Sequence, residues 1–118
     1  MEEKSILSYA ANILKSRGFE EIHADVEEFD PPSRLLKKGS DTEFTPDLTA
    51  KQNEGKCYFE IVRTAKRDKS RLIDKWSLLS AVAKHKNGHF FLLVPDGKMN
   101  YAQKILKDEN IEAGIIKI

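Results

Sequence analysis

Two acidic residues, Asp47 and Glu60, lie thirteen positions apart in segments patterned as β-strands. Asp47 follows Pro46, and Glu60 interrupts the apolar run Tyr58-Phe59-Glu60-Ile61-Val62. A carboxylate within such a run needs a cation, because an unpaired buried charge is costly. Between the two segments, Gln52-Asn53-Glu54-Gly55 is a hairpin signal. With Glu54-Gly55 as the tip, Asn53 pairs with Lys56, Thr49 falls opposite Glu60, and Val62 falls opposite Asp47. Alternate residues share a face, so Asp47, Thr49 and Lys51 join Tyr58, Glu60 and Val62 on one side. Asp47 and Glu60 are then diagonal neighbours with Cβ atoms roughly 7 Å apart. Carboxylates that close repel unless one is protonated or a cation bridges them. Oxygen donors without His or Cys favour Mg²⁺ or Mn²⁺ over zinc. Such an ion can activate water and neutralise charge on a phosphodiester. A register slip of one residue would separate the pair onto opposite faces.

The flanking patterns define the elements that must hold this pair. Ile6, Tyr9, Ala10, Ile13 and Leu14 recur at helical spacing between Glu2 and Arg17, and Gly18 is a natural stop. Glu21 to Phe29 alternates, with Ile22, Ala24, Val26 and Glu28 on one side, as a strand ended by Asp30-Pro31-Pro32. Ser33 to Glu43 reads as a polar loop around Gly39, with one turn of helix at Arg34-Leu35-Leu36. Phe44 to Lys51 and Lys56 to Thr64 are the hairpin strands. Ser70 to Lys86 is a helix whose stripe is Leu72, Trp76, Leu79 and Ala83, widened by Ile73 and Val82. The basic residues of its first turns fall off that stripe, and Trp76 on it is a core residue. Asn87-Gly88 closes the helix, and His89 to Val94 is a continuous apolar run suited to a buried strand. Pro95-Asp96-Gly97 is a turn, Met99 to Asp108 a short helix, and Ala113 to Ile118 a last strand. The order αβββαβαβ implies an α/β or α+β domain, helices packed on a mixed sheet.

Pro46-Asp47, Glu60 thirteen residues later, the flanking strands and the basic helix that follows resemble the PD-(D/E)XK nuclease superfamily. That superfamily includes many restriction endonucleases and archaeal-type Holliday junction resolvases. The resemblance covers about residues 1 to 97. It implies a restriction endonuclease-like αβββαβ core, here with a C-terminal αβ extension, in one domain spanning 1–118. It also implies metal-dependent cleavage of phosphodiesters, with Asp47 and Glu60 as catalytic and metal-ligand positions and Mg²⁺ or Mn²⁺ as the ion. The family places a lysine two residues after the glutamate, where it positions or polarises the attacking water. Here that residue is Val62, which has neither donor nor charge. Lys51, Lys66 and Lys75 are the candidate replacements. Lys66 is six extended residues, roughly 20 Å, from Glu60, and Lys75 serves only if its helix crosses above the site.

Charge and composition bound the partners. The 118 residues are 40% apolar and 33% charged, ordinary for one folded domain. The net charge of +1 does not mark a nucleic-acid binder, but Arg63, Lys66, Arg67, Lys69, Arg71 and Lys75 form a local basic run. These six are the nucleic-acid-binding candidates, with phosphate also favoured where the helix begins. DNA is the expected partner, and self-association into a homodimer is a further expectation for so small a chain. Cys57 is the only cysteine, so neither an internal disulfide nor a cysteine zinc cluster is available. No apolar run approaches the ~20 residues of a membrane helix, and the acidic Met1 to Ser5 is no secretory signal, so a cytoplasmic protein is expected. His23, His85 and His89 are dispersed, and no glycine-rich phosphate loop occurs. Three readings follow: a metal-dependent nuclease, a degenerate nuclease fold that binds DNA or protein without catalysis, and an unrelated domain with structural carboxylates.

Overall fold

The helical spacing of the first residues becomes α1 (Glu3–Ser16) in the computed structural model, which describes residues 3–36, 43–53, 55–63 and 69–118. Gly18 follows it in the left-handed region, at φ 89°. β1 (Glu20–Ala24) is shorter than its alternation predicts. The chain turns at once, with Val26 N–H donating to the Ala24 carbonyl and Phe29 N–H to that of Val26. Ile22, Val26 and Phe29 still pack on the core, so the apolar spacing belongs in part to a packed turn. A second difference concerns Leu35–Leu36. In place of a helical turn they form β2, antiparallel to β3 (Glu43–Phe44). Pro31 and Pro32 favour extended backbone just upstream, and Leu35 packs against the helix-side core. Gly39 lies outside the described residues.

β4 (Leu48–Gln52) and β5 (Gly55–Ile61) are the expected hairpin in a corrected register. Gln52 pairs with Gly55, Lys51 with Lys56, Thr49 with Tyr58 and Leu48 with Phe59. Asn53 takes the left-handed conformation at the tip, with φ 52°. Gly55 serves another purpose. A Cβ there would come within 2.9 Å of the Asn87 carbonyl oxygen, so glycine is required by close packing. The shift is by two residues, which preserves the faces. Asp47 now stands opposite Glu60 when the ladder is continued by one pair, closer than the diagonal placement expected.

α2 (Lys69–His85) ends on Asn87 in the left-handed region (φ 57°), with Gly88 N–H bonding the Ala83 carbonyl at 2.7 Å. β6 (His89–Val94), α3 (Met99–Asp108) and β7 (Gly114–Lys117) complete the chain. The main sheet runs β1-β4-β5-β6-β7. β1, β4 and β5 are antiparallel, whereas β5, β6 and β7 are parallel and joined by α2 and α3. Among the described residues the result is an α+β fold with a mixed five-stranded sheet, a two-stranded ribbon and three helices. Among the described residues no helix is long and apolar enough to cross a membrane.

The sheet separates two cores. Ala10, Ala11 and Leu14 of α1 pack on Cys57, Phe59, Ile61 and Leu93. Trp76, Leu79 and Ala83 of α2, with Ala102 and Ile105 of α3, pack on Tyr58, Val62, Leu92 and Val94. β5 is buried on both faces, and parity alone decides which core each of its residues enters.

Candidate functional site

Glu60 enters the α2 side between Tyr58 and Val62, with its side chain only 4% exposed. Asp47 sits just before β4, after the buried Pro46, with its side chain 15% exposed. The two acids are joined reciprocally through the backbone. Asp47 N–H donates to Glu60 Oε2 at 2.8 Å, and Ile61 N–H donates to Asp47 Oδ2 at 2.8 Å. Each carboxylate therefore satisfies a main-chain donor of the other segment where the β4–β5 ladder ends. Such charge-assisted bonds hold both groups in one geometry.

Each acid also has its own cation. Lys75, on the second turn of α2, reaches down to place Nζ 3.1 Å from Glu60 Oε1. Arg63 places Nη1 2.9 Å from Asp47 Oδ2 and 3.2 Å from the Ile61 carbonyl oxygen. Burial pushes the Glu60 carboxyl up to about 8, and the neighbouring Asp47 adds to the rise. Lys75 and the Asp47 N–H oppose it. Desolvation prevails because a group this buried loses more hydration than one half-buried ammonium returns.

Of the three lysines weighed for the place of Val62, Lys75 meets Glu60. Lys51 faces Lys56 across the hairpin, with its ammonium 3.5 Å from Glu21. Lys66 lies outside the described residues, as do Thr64 and Arg67. Lys75 also corrects the expectation that the early basic residues of α2 avoid its apolar stripe. It is three residues after Leu72 and four before Leu79, so helical geometry sets it at the edge of that stripe. Its side chain is 23% exposed, its stem covered and its ammonium turned to Glu60. That spacing is the sequence signal for its inward role.

The rest of the described basic run does not converge on the acids. Arg71 stacks its guanidinium 4.9 Å from the centre of the Phe44 ring and donates to the Glu43 carbonyl at 3.4 Å. Lys69 lies 5.9 Å from the centre of the Tyr101 ring. α2 nevertheless opens with both cations and no acidic residue in its first turn. That arrangement opposes the helix dipole and favours an anion there. Trp76 is fully buried, as its stripe position predicts.

The oxygen donors gathered here are of the type a hard cation takes. Asp47 and Glu60 supply carboxylate oxygens on one side of the sheet, and the Ile61 carbonyl is a neutral oxygen beside them. Asp47 Oδ1 accepts no hydrogen bond from a described residue. No group of three or more His, Cys, Asp and Glu side chains gathers among the described residues, so water would have to complete a coordination sphere. Comparison of the chain with protein families, curated proteins and solved structures found no match.

Proposed function

We propose that the chain is a nuclease-like nucleic-acid-binding domain whose Asp47, Glu60 and Lys75 form a metal-dependent site for phosphodiester hydrolysis. The reading rests on one observation: at one end of the β4–β5 ladder, Glu60 meets both Asp47 from the segment before β4 and Lys75 from α2. On this reading the fold is restriction endonuclease-like, with α1, β1, β4, β5, α2 and β6 as its core. A bound Mg²⁺ or Mn²⁺ would neutralise charge on the phosphate and lower the pKa of water. Asp47 and Glu60 would hold it. Lys75, carried by α2, takes the task that Val62 cannot perform: its ammonium orients a water or steadies the leaving oxygen. The cations at the start of α2 would contact the backbone of DNA.

A second reading has an observation of its own. Arg63 and Lys75 already pair with the two acids, and Val62 is buried, which favours a degenerate nuclease fold that binds DNA or a protein without catalysis. One experiment separates the two. Under the first reading Mn²⁺ raises the melting temperature, Asp47→Ala removes that rise, and Mn²⁺-dependent cleavage of a labelled duplex falls at least ~100-fold in Lys75→Met. DNA binding that declines steeply with salt, with no product under any metal, would leave the second reading standing.

A further inference from the structure

Arg63 is placed in a way that a simple counter-ion does not require. One nitrogen, Nη1, lies between an anionic oxygen, Asp47 Oδ2 at 2.9 Å, and a neutral one, the Ile61 carbonyl at 3.2 Å. Both are hard oxygen donors, and the pair stands beside Glu60, whose Oε2 accepts the Asp47 N–H. A positive group is thus held where oxygen atoms of both segments converge. The two cations of the site differ in how they are held. The Lys75 side chain is 23% exposed and comes from within a helix packed on the sheet, whereas that of Arg63 is 40% exposed and follows the end of β5. Arg63 therefore stands nearer to solvent than Lys75 does. Lys75 cannot leave without uncovering Glu60.

We infer that Arg63 is an exchangeable cation: it occupies the place between Asp47 and the Ile61 carbonyl until a divalent ion takes it, and the displaced guanidinium then binds a phosphate of the nucleic acid. This rests on the metal-site reading above and extends it to the order in which ligands engage. A guanidinium suits both positions, because its fork of donors matches carboxylate and phosphate oxygens alike. Because one side chain cannot serve both, metal binding and nucleic-acid binding assist each other. The like charges of ion and guanidinium exclude a state in which both sit on Asp47 Oδ2.

The test uses the full chain, with Arg63→Ala and Arg63→Gln compared by circular dichroism to establish folding. Mg²⁺ is titrated while the Arg63 side-chain N–H signal is followed by NMR. Ca²⁺ affinity is measured calorimetrically, and binding to a short DNA duplex is measured by anisotropy with Ca²⁺ and with chelator. The Arg63 signal should move as Mg²⁺ saturates, and both variants should bind Ca²⁺ at least about tenfold more tightly than the parent chain, since a competing charge has gone. The gain in duplex affinity that Ca²⁺ gives the parent should shrink in both variants. If the parent binds metal but the Arg63 signal stays fixed, or the variants bind Ca²⁺ no more tightly, the exchange is wrong and the metal site stands. If neither the parent nor the variants bind Mg²⁺ or Ca²⁺, the metal site itself is wrong.

Discussion

The two faces of β5 are built to different ends. Towards α1 the strand presents Cys57, Phe59 and Ile61, and Phe59 stacks on Phe91 with ring centres 5.4 Å apart while Phe19 meets it edge-on at 5.3 Å. Towards α2 it presents Tyr58 and Glu60, with Val62 just past its end. That second core holds a buried carboxyl group with its lysine. It also holds Tyr58 Oη and Trp76 Nε1, two buried polar atoms with no partner among the described residues. Polar groups left so cost stability, typically ~1–3 kcal/mol each. The α1 face thus carries unmixed hydrophobic stability, and the α2 face gives some of it up to hold polar groups.

This contrast can be broken from either side. The largest effect belongs to Phe59→Ala, which removes a fully buried ring from the purely apolar face and should lower stability by ~3–5 kcal/mol in chemical denaturation. In the cold, where the variant remains folded, its response to Mn²⁺ should persist; loss of that response would mean that the faces are not independent. Val62→Lys comes next. Val62 is 1% exposed in the α2 core, so an ammonium there is buried near Lys75 and should cost ~2–4 kcal/mol. A melting temperature equal to that of the parent would show that this position could have hosted the lysine all along.

The third effect is a dependence on pH. The Glu60 carboxyl is held at about 8 in the folded chain against an ordinary 4.5, so the folded state binds the extra proton between those values. The contribution of this group is therefore complete below pH 4.5 and is lost as pH rises through about 8, by on the order of a few kcal/mol. Glu60→Gln should flatten that decline in urea midpoints measured across the range; an unchanged slope would assign it elsewhere. The smallest effects are those of Lys69→Ala and Arg71→Ala. Each should change stability by no more than ~1 kcal/mol, because both residues are exposed and the Arg71 contact with Phe44 is a single cation–π pair. Each should lower the salt dependence of DNA binding by about one unit of slope if it touches a phosphate.

Much of the fold could be read from residue order. β6 and α3 lie at the positions their patterns predict, and α1 and α2 agree within a residue or two. These elements carry strong local signals: helical spacing, a continuous apolar run, and Asn-Gly or Pro-Asp-Gly punctuation. Leu35–Leu36 did not, because two leucines suit a helical turn as well as a strand and the pairing with Glu43–Phe44 is made at a distance. The hairpin tip misled for a related reason: Gly55 looks like a turn residue, yet its smallness answers to Asn87 on the far end of α2.

For the acid pair, alternation along the strands placed Asp47 and Glu60 on one face, since side-chain parity is a local property that survives a shift of two residues. Residue order also marks Lys75 as lying at an apolar edge of its helix. Which cation meets which acid depended on how α2 crosses the sheet and where the chain turns after β5. Those are outcomes of packing between segments far apart in sequence. Ion pairs form at the reach of a single side chain, so they follow the third dimension and leave only a faint trace in the first.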